Sequence, residues 1–538
     1  MARDKILILF ALLGCVLMVA AVVYRGIAST RPMQPGVDGG SDPGQGGIAV
    51  PEAGPPFADW EQPDAVLLIS SEQFGYLEPC GCSASQAGGM ARRAGLFRMI
   101  KEKGWPLAAI DLGGTVKRHR RQSQFKFSSN LEALKLLDYA ALGVGPEELK
   151  LRPDYLLSQN VIDPETGQAA LPFLGANQMF FDIPDLDGGP IKTKVFEAGP
   201  VRFGVAQILG DSIRDSIVPG GSTADFSTTA PTDVLPDVIE SLEAAEVDVM
   251  VLLSYATPSE STELAAAYPQ FDIVVTARGP EDPPEKAEQI GDTLLLRVGQ
   301  KGKHIGAVGV TKAEESGIDL KFELVELDAA RFDHVTAMDE VMASYQTLLE
   351  DYESEVFADI PEGDAPPGGT YVGADRCGKC HTKAFAKWSK SRHAKAYHSL
   401  IEGRENFEGD WVPRNHDPEC LSCHVTGWDA QDVFPFKSGF LPEAIASQKG
   451  DPDRYHLLKG QQCENCHGPG SHHSEVMQTW LDDKNAVPQP EFRAAAKEMK
   501  IELTEARDNL CIKCHDHENS PKFNFAEYWS KVKHSGLD

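Results

Sequence analysis

The pentapeptide Cys-x-x-Cys-His occurs four times in the last third of this 538-residue chain. This pattern is typical of covalent c-type haem attachment, in which two thiols bond to one porphyrin and the adjacent imidazole ligates its iron. The four copies use eight of the eleven cysteines, which excludes chance repetition. The thiols are Cys377 and Cys380, Cys420 and Cys423, Cys463 and Cys466, and Cys511 and Cys514, and the proximal histidines are His381, His424, His467 and His515.

Two other kinds of site also use paired cysteines. Zinc ribbons contain Cys-x-x-Cys pairs, and so do redox dithiols. Neither requires a histidine after every second cysteine, yet all four copies have one. We therefore expect four covalently bound c-type haems as the cofactors.

Further imidazoles are needed if each iron is held by a histidine on both faces, as in many low-potential electron carriers. Twelve of the fifteen histidines follow residue 370, and eight of those lie outside the motifs. The eight are His393, His398, His416, His456, His472, His473, His517 and His534.

The region that must position these groups, residues 370–538, has few long apolar runs and many Gly, Pro and His residues. A segment of this composition does not build a conventional core, so the porphyrins must supply apolar bulk. We predict a mainly α, loop-rich cytochrome domain of short helices that folds when haem is attached.

The preceding region, residues 62–330, alternates between strand-like and helix-like patterns. This alternation is typical of an α/β domain whose sheets are covered by helices. A longer helix is predicted over residues 332–356. The predicted strands are 65–69, 107–112, 247–253, 271–275, 293–298, 305–310 and 320–327, and the predicted helices are 92–103, 131–142 and 234–245.

The first 29 residues predict a membrane address. Arg3 and Lys5 precede an uninterrupted apolar run over residues 6–23, which reaches the short limit for a bilayer-spanning helix. We predict a single-pass anchor; a cleaved signal peptide and a lipoprotein signal at Cys15 are alternatives. All three place the body of the protein outside the cytoplasm, where cytochromes c mature, so we expect the periplasmic side of a bacterial inner membrane.

Two segments rich in Gly and Pro predict linkers. Residues 30–61 would separate the body from the membrane, and residues 331–369 would form the bridging helix followed by a second linker. The formal charge of −29 argues against nucleic acid as a partner, because phosphate backbones are bound by positive surfaces. We expect redox proteins of the periplasm as partners.

The order of motifs over residues 370–538 resembles the tetrahaem cytochrome c-554 family. The resemblance is carried by segments 371–376, 388–396, 423–428, 466–473 and 519–523. It implies electron transfer through closely packed haems, with His393, His473 and His534 as distal ligands. The fourth distal ligand is His398 or His416, or is absent, in which case an open iron would offer a substrate site.

Residues 62–328 resemble the 5′-nucleotidase branch of the metallophosphoesterases, through segments 88–93, 272–275 and 301–309. The resemblance implies an α/β sandwich. Almost every metal ligand of that family is missing, because Phe74, Gly114, Tyr255 and Arg278 stand where the family has His or Asp. We therefore expect a metallophosphoesterase-like domain that does not hydrolyse phosphate esters.

Cys80 and Cys82 follow the first predicted strand, at the sheet edge where α/β active sites gather. The segment Glu78-Pro79-Cys80-Gly81-Cys82 resembles a nucleotidase-like subgroup in which one cysteine can be selenocysteine, which implies redox or soft-metal chemistry. An inert disulfide and buried thiols are the alternatives. The basic run over residues 117–121 either docks an anionic group, such as a haem propionate, or is a solvated loop.

These observations predict an exported, membrane-anchored tetrahaem cytochrome that transfers electrons, with Cys80 and Cys82 as a candidate redox pair. An electron carrier is favoured over an enzyme. One alternative is a haem oxidoreductase that acts on a small nitrogen or sulfur compound at an open iron. The other is a docking module that positions the cytochrome against a partner.

Overall fold

The first sheet is built around a strand that is buried on both faces. The structure, a computed structural model, describes residues 54–79, 86–217, 225–313, 317–403 and 411–534. Its strands are β1 Ala65–Ser70, β2 Leu107–Asp111, β3 Tyr139–Gly143, β4 Phe173–Leu174, β5 Gln178–Phe180, β6 Thr193–Ala198, β7 Val201–Leu209, β8 Phe226–Thr228, β9 Val249–Tyr255, β10 Ile273–Thr276, β11 Glu288–Ile290, β12 Thr293–Arg297, β13 His304–Ala313, β14 Gly317–Glu326, β15 Trp428–Asp429 and β16 Phe434–Pro435.

Two six-stranded sheets form the α/β region. The first has the order β14-β13-β1-β2-β3-β4, and the second has the order β11-β12-β10-β9-β7-β6. The inner strands β1 to β4 are parallel, as are β12, β10, β9 and β7, while β13, β14, β11 and β6 run antiparallel to their neighbours. Every residue of β1 is buried, as expected for a strand covered on both faces.

Helices cover these sheets and connect them. Those of the α/β region are Met90–Glu102, Arg121–Leu136, Pro146–Leu149, Pro153–Gln159, Asp211–Ile217, Pro231–Ala244 and Pro258–Ala267. The bridging helix predicted over residues 332–356 is two helices, Ala337–Asp351 and Glu353–Ala358, which meet at Tyr352.

The predicted helix over residues 131–142 is wrong in its second half. The helix begins at Arg121 and ends at Leu136, and Tyr139–Gly143 is strand β3. Asp138 has a φ of 57°, a left-handed conformation that ends the helix. The apolar residues 139–142 are buried because they lie between β2 and β4, and this burial gives no periodic signal that separates strand from helix.

The haem region, residues 370–534, consists of short helices and loops, as predicted. The longest helix has 12 residues, and β15 and β16 form a small hairpin. Its α-helices are Ala374–Gly378, Thr382–Trp388, Ala396–Glu402, Pro418–His424, Glu443–Gln448, Asp453–His456, Cys463–His467, Ser471–Asp482, Gln489–Glu498, Leu503–Glu505 and Phe525–Val532, with short 3-10 or π turns at His393–Lys395, Ala506–Leu510 and Cys511–Lys513.

The second predicted linker packs against the haem region. The backbone N–H of Gly363 donates to the Pro435 carbonyl at 2.9 Å, and Glu362 accepts from Arg454 at 2.9 Å. From Pro55 onward the chain forms one compact unit. None of the described helices has the length and apolar character required to span a bilayer. The predicted anchor and the first 24 residues of the first linker, up to residue 53, lie outside the described residues.

Candidate haem sites and the interface between the regions

Each attachment motif is wound into about one turn of helix. In the first and fourth motifs the histidine N–H donates to the carbonyl of the first cysteine, His381 to Cys377 and His515 to Cys511, both at 2.9 Å. The second motif lies in the helix Pro418–His424, whose first turn is capped by the Asp417 side chain. Such turns bring both thiols and the histidine of a motif toward one side of the chain.

Three of the motif histidines face a second imidazole. The ring centres of His381 and His473 are 6.2 Å apart, those of His515 and His393 are 6.0 Å apart, and those of His467 and His534 are 5.9 Å apart. We call these the three imidazole pairs. In each pair the partner comes from a different part of the sequence, so tertiary structure and not local spacing brings the two rings together.

The spacing within each pair fits a metal ion between the rings. A metal–imidazole bond is about 2 Å long, so two bonds and two ring radii separate the ring centres by roughly 6 Å. Aromatic rings in direct contact also have centres roughly 4.5–7 Å apart, so this spacing agrees with a metal ion between the rings and also with simple ring packing. The pairs therefore fit a haem iron with a nitrogen ligand on each face.

Hydrogen bonds leave the correct ring nitrogen for the iron. The Nδ1 atoms of four predicted ligands lie near backbone carbonyls, which only accept, so Nδ1 carries the proton and Nε2 keeps its lone pair. The contacts are His424 to Ala396 at 2.7 Å, His467 to Met499 at 2.6 Å, His473 to Ala495 at 2.9 Å and His534 to Val532 at 3.1 Å. His515 Nδ1 lies 2.8 Å from the Ser520 hydroxyl.

Burial keeps several of these rings neutral. It lowers the pKa of His393, of His467 and of His515 below the usual value for histidine. A neutral imidazole is the form that binds a metal, because the lone pair must be unprotonated. The surroundings of these side chains therefore favour the ligating state.

The fourth motif histidine, His424, belongs to none of the three imidazole pairs found among the described residues. His398, the fourth predicted distal ligand, instead places Nε2 at 2.8 Å from Glu402, one helical turn away, and its side chain is 62% exposed. His416 lies 2.7 Å from Glu353, and this hydrogen bond raises its pKa, which favours the protonated form. The fourth distal ligand stays a prediction.

Thiols of different motifs lie next to each other. The Cys377 thiol is within hydrogen-bonding reach of Cys463, and that of Cys423 is within reach of Cys514. The first motif thus adjoins the third, and the second adjoins the fourth. Porphyrins attached at these positions would lie in close pairs.

The basic run over residues 117–121 docks against the haem region, so the solvated-loop interpretation is wrong. Arg118 donates to Glu419 at 2.9 Å and to the Gln431 carbonyl at 3.0 Å. Arg120 donates to the carbonyls of Val433 and Asp432. The run therefore contacts residues that precede and follow the second haem motif in the sequence.

Two carboxylates next to Cys420 anchor that motif to the α/β region. Lys126 and Arg118 both pair with Glu419. Asp417, which is 4% exposed, accepts from Gln122 at 2.8 Å and from Gln346 at 3.2 Å. The second haem motif is thus held by buried polar contacts that sequence reasoning missed. The signal was present in Asp417-Pro418-Glu419, a helix-start pattern with acidic groups in front of the motif.

The fourth motif contacts the α/β region through Glu518. Its carboxylate accepts from Tyr76 at 2.8 Å and from Lys301, and its carbonyl accepts from Gln86. Glu78 pairs with Arg414, ahead of the second motif. Cys80 and Cys82 lie outside the described residues, but residues on both sides of them contact the haem region near the second and fourth motifs.

Polar side chains cluster at the strand ends where the phosphoesterases have metal ligands. Tyr255 donates to Glu147 at 2.7 Å, and Arg278 donates to Glu147 at 3.1 Å through its guanidinium and to Glu72 at 3.1 Å through its backbone. Glu148 accepts from the N–H groups of Gly114 and Gly145. Burial raises the pKa of Glu72 and of Glu148 to about 7.

This cluster links the two sheets through one guanidinium and hydrogen bonds. No group of three or more His, Cys, Asp or Glu side chains in the described part of the chain is arranged to hold a metal ion. Glu147 and Glu148 were missed from the sequence, although Gly145-Pro146-Glu147-Glu148 directly follows β3 at the carboxyl edge of its sheet. Phe74, which stands where the resemblance to the metallophosphoesterases places a metal-ligand residue, has a backbone φ of 51°.

Comparison with known proteins supports the interpretation of the haem region. Residues 376–468 match the family described as cytochrome c554 and c-prime. Cytochrome c-554 of Nitrosomonas europaea is 28% identical over 169 residues, which is 29% of this chain and 61% of that protein. The chain thus spans less than two thirds of this relative. The predicted resemblance is confirmed, and the C-terminal region is that of a c-type cytochrome, which binds haem.

Solved structures are similar to the α/β region at low identity. A 5′-nucleotidase precursor from Thermus thermophilus has a TM-score of 0.46 at 18% identity, over 53% of this chain and 59% of that chain. Sulfate thiohydrolase SoxB from the same organism has a TM-score of 0.43 at 13% identity, over 68% of this chain and 75% of that chain. The architecture of the α/β region is therefore described from its two six-stranded sheets and not from these similarities.

Proposed function

We propose that this protein is an exported, membrane-anchored tetrahaem cytochrome that transfers electrons and carries a non-hydrolytic, nucleotidase-like α/β region as its scaffold. The three imidazole pairs are the observation that carries this proposal. Two histidines at a ring separation of about 6 Å fit an iron that is saturated by protein ligands, which suits electron transfer rather than substrate binding.

The chain's own groups define what the sites do. Haem supplies a one-electron couple at its iron. The eight motif thiols would attach the porphyrins, the histidines of the three imidazole pairs would ligate three of the irons, and the carbonyls that accept from Nδ1 orient the rings of His467, His473 and His534. Contacts between thiols of the first and third motifs, and of the second and fourth, favour short electron-transfer distances within each pair.

The test is a haem count followed by spectroscopy on the matured protein. The absorption of the reduced pyridine complex, formed in alkaline pyridine with the haem still attached to the chain, should give four haems per chain. Optical and EPR spectra should then show at least three low-spin haems. Carbon monoxide binding by one reduced haem would move the interpretation toward an oxidoreductase with an open iron. Fewer than three low-spin haems would contradict the ligand assignment.

The finer part of the proposal concerns Cys80 and Cys82 as a redox pair. It is supported by the contacts on both sides of them, Glu78 with Arg414 and Gln86 with Glu518. Oxidation of this dithiol to a disulfide releases two electrons and two protons. Two haem irons would each accept one electron, and water would accept the protons, so the four-haem store matches a two-electron step.

Replacing Cys80 tests this part separately from the haem assignment. Cys80→Ser should leave the haem spectrum intact and remove one non-haem, two-electron couple from a potentiometric titration. Ser83→Ala, three residues away, should leave that couple in place. The redox role fails if the parent protein shows no such couple, and the α/β region is then a scaffold or docking module. Fractionation of export-competent cells tests the anchor, which should keep the holoprotein with the membranes.

A further inference from the structure

A strongly basic segment surrounds the first haem motif in an otherwise acidic chain. Residues 375–395 contain seven cationic side chains and one carboxylate, Asp375, whereas the whole chain has a formal charge of −29. We call the seven cations the basic face. They are Arg376, Lys379, Lys383, Lys387, Lys390, Arg392 and Lys395.

The basic face lies on the surface. Six of its seven side chains are exposed, and Arg376 is half-buried. Lys383 and Lys387 are one helical turn apart in Thr382–Trp388, and Lys390 lies two residues beyond the end of that helix. The Lys387 ammonium donates to the Lys533 carbonyl at 2.6 Å, which brings the end of the helix Phe525–Val532 alongside. The positive charge is therefore concentrated on one accessible patch.

The α/β region binds elsewhere. Its contacts with the haem region involve residues such as Arg414, Glu419 and Glu518, beside the second and fourth motifs. Next to the basic face, Trp388 donates to the Gln461 carbonyl and the ring of His393 contacts that of His515, both within the haem region. The two regions' mutual contacts thus leave the first motif accessible.

We propose that the basic face is the docking surface for an acidic electron-transfer protein, which exchanges electrons at the haem of Cys377 and Cys380. This inference rests on the proposed function, because it requires a haem at the first motif. One electron passes from the reduced partner to the oxidised iron, or in the reverse direction, and no bond forms or breaks.

Charge complementarity selects the partner. Lys383 and Arg392 have further interactions of their own and are left out of the charge count. The two propionates of one haem and Asp375 would balance three of the other five cations, which leaves a local charge of +2. The Debye length is about 8 Å at physiological ionic strength, so distant carboxylates of the α/β region weigh little on a partner at this patch. Opposite charge on two docking surfaces accelerates association by roughly 10- to 1000-fold.

A charge-reversal pair tests the proposal. Lys390→Glu with Lys395→Glu changes the net charge by −4 within the basic face. Lys484→Glu with Lys497→Glu makes the same change elsewhere. Lys484 lies two residues after the helix Ser471–Asp482, Lys497 lies in the helix Gln489–Glu498, and both side chains are exposed. The probe is a reduced plant-type ferredoxin, an acidic one-electron protein, mixed with oxidised holoprotein in a stopped-flow spectrometer at increasing sodium chloride concentration.

For the parent protein we expect a second-order rate constant that falls as salt rises. The basic-face variant should react about tenfold more slowly at low salt and lose most of the salt dependence, and the control variant should keep both within about twofold. Equal losses in the two variants would show that net charge alone acts, and a parent rate independent of salt would show no steering. Either result overturns the proposal.

Haem content separates failure of this inference from failure of the proposed function. Each variant is first shown to carry the parent's number of haems and its low-spin spectrum. If the parent itself lacks haem at the first motif, the proposed function is wrong. If haem is present and the second-order rate constant is the same for the parent and the basic-face variant, only the proposed docking surface is wrong.

Discussion

The α/β region and the haem region bury their side chains in different ways. In the α/β region the helix Met90–Glu102 buries eight residues, and the apolar residues of β1 are completely inaccessible. In the haem region the helices Thr382–Trp388 and Phe525–Val532 have no buried residue of their own. The haem region does bury apolar side chains around residues 397–458, such as Leu421, Val425 and Phe440, but these two helices, beside the first motif and near the C-terminal end, contribute no buried side chain to that core.

Haem omission should have the largest effect, and it should act on one region alone. Protein made without haem attachment should keep the α/β region folded and lose ordered structure in the helices Thr382–Trp388 and Phe525–Val532, because short helices without buried faces are not stable alone. Hydrogen exchange followed by mass spectrometry would show protection of β1, β2 and β9 and rapid exchange in these two helices. Equal protection of both regions would remove the contrast between them.

Two adjacent histidines sharpen the comparison within the haem region. His473 faces His381, whereas the side chain of His472 is 51% exposed and lies 3.0 Å from Glu498. His473→Ala should convert one low-spin haem to a high-spin form that binds carbon monoxide, because the iron loses a ligand. His472→Ala should leave the EPR spectrum unchanged. If both variants behave alike, His473 is not a ligand.

The contact between the regions should be weakened by removing Lys126. Its ammonium pairs with Glu419, and the two side chains are 11% and 32% exposed. Lys126→Met should destabilise the docked state by about 2 kcal/mol, below the full value for a buried pair because Glu419 is partly solvated.

The readout for that variant is hydrogen exchange in the helix Pro418–His424, which should become roughly 30-fold faster at the stated 2 kcal/mol. Lys101→Met removes one member of an exposed pair with Asp138, whose side chains are 57% and 82% exposed. This control should change stability by no more than about 0.5 kcal/mol. An unchanged exchange rate in both variants would mean that the ion pair does not hold the regions together.

The last expected effect is a pH dependence confined to the α/β region. Burial raises the pKa of Glu72 to about 7 from a usual value of 4.5. Between these values the folded chain holds a proton that the unfolded chain has lost, so stability falls as pH rises from about 5 to 7, by at most about 1.4 kcal/mol per pH unit.

Glu72→Gln should remove that part of the slope in urea unfolding followed by circular dichroism. Glu102→Gln, at a side chain that is 71% exposed, should retain the parent slope. A Glu72 variant with the parent slope would show that this carboxyl is ionised in the folded protein throughout the range.

Much of the fold could be predicted because local signals were strong. The apolar runs of β1, β9 and β12 and the helix Pro231–Ala244 lie within a few residues of their predicted bounds. Strand β6 was missed because it is an edge strand that mixes charged and apolar residues, and β7 was missed although its residues are mostly apolar and almost all buried. The helix predicted to reach residue 142 failed because a buried strand and a buried helix face are equally apolar.

The attachment motifs could be predicted from the sequence because covalent haem attachment requires a fixed spacing within five residues. The distal positions were suggested only by resemblance, since His381 and His473 are 92 residues apart and no local pattern joins them. The contact between the α/β region and the haem region could not be predicted from the sequence, for a similar reason. Glu419 is an ordinary acidic residue until Lys126, 293 positions earlier, is placed beside it.

The three imidazole pairs also impose an order on biogenesis. If the chain crosses a membrane amino-terminus first, as proposed, three attachment motifs emerge before residue 473, when none of the three pairs is complete. The pair of the first motif closes with His473, that of the fourth with His515, and that of the third only with His534. Haem insertion at the early motifs would therefore precede final ligation, and the maturation machinery must accept irons that still lack their second imidazole.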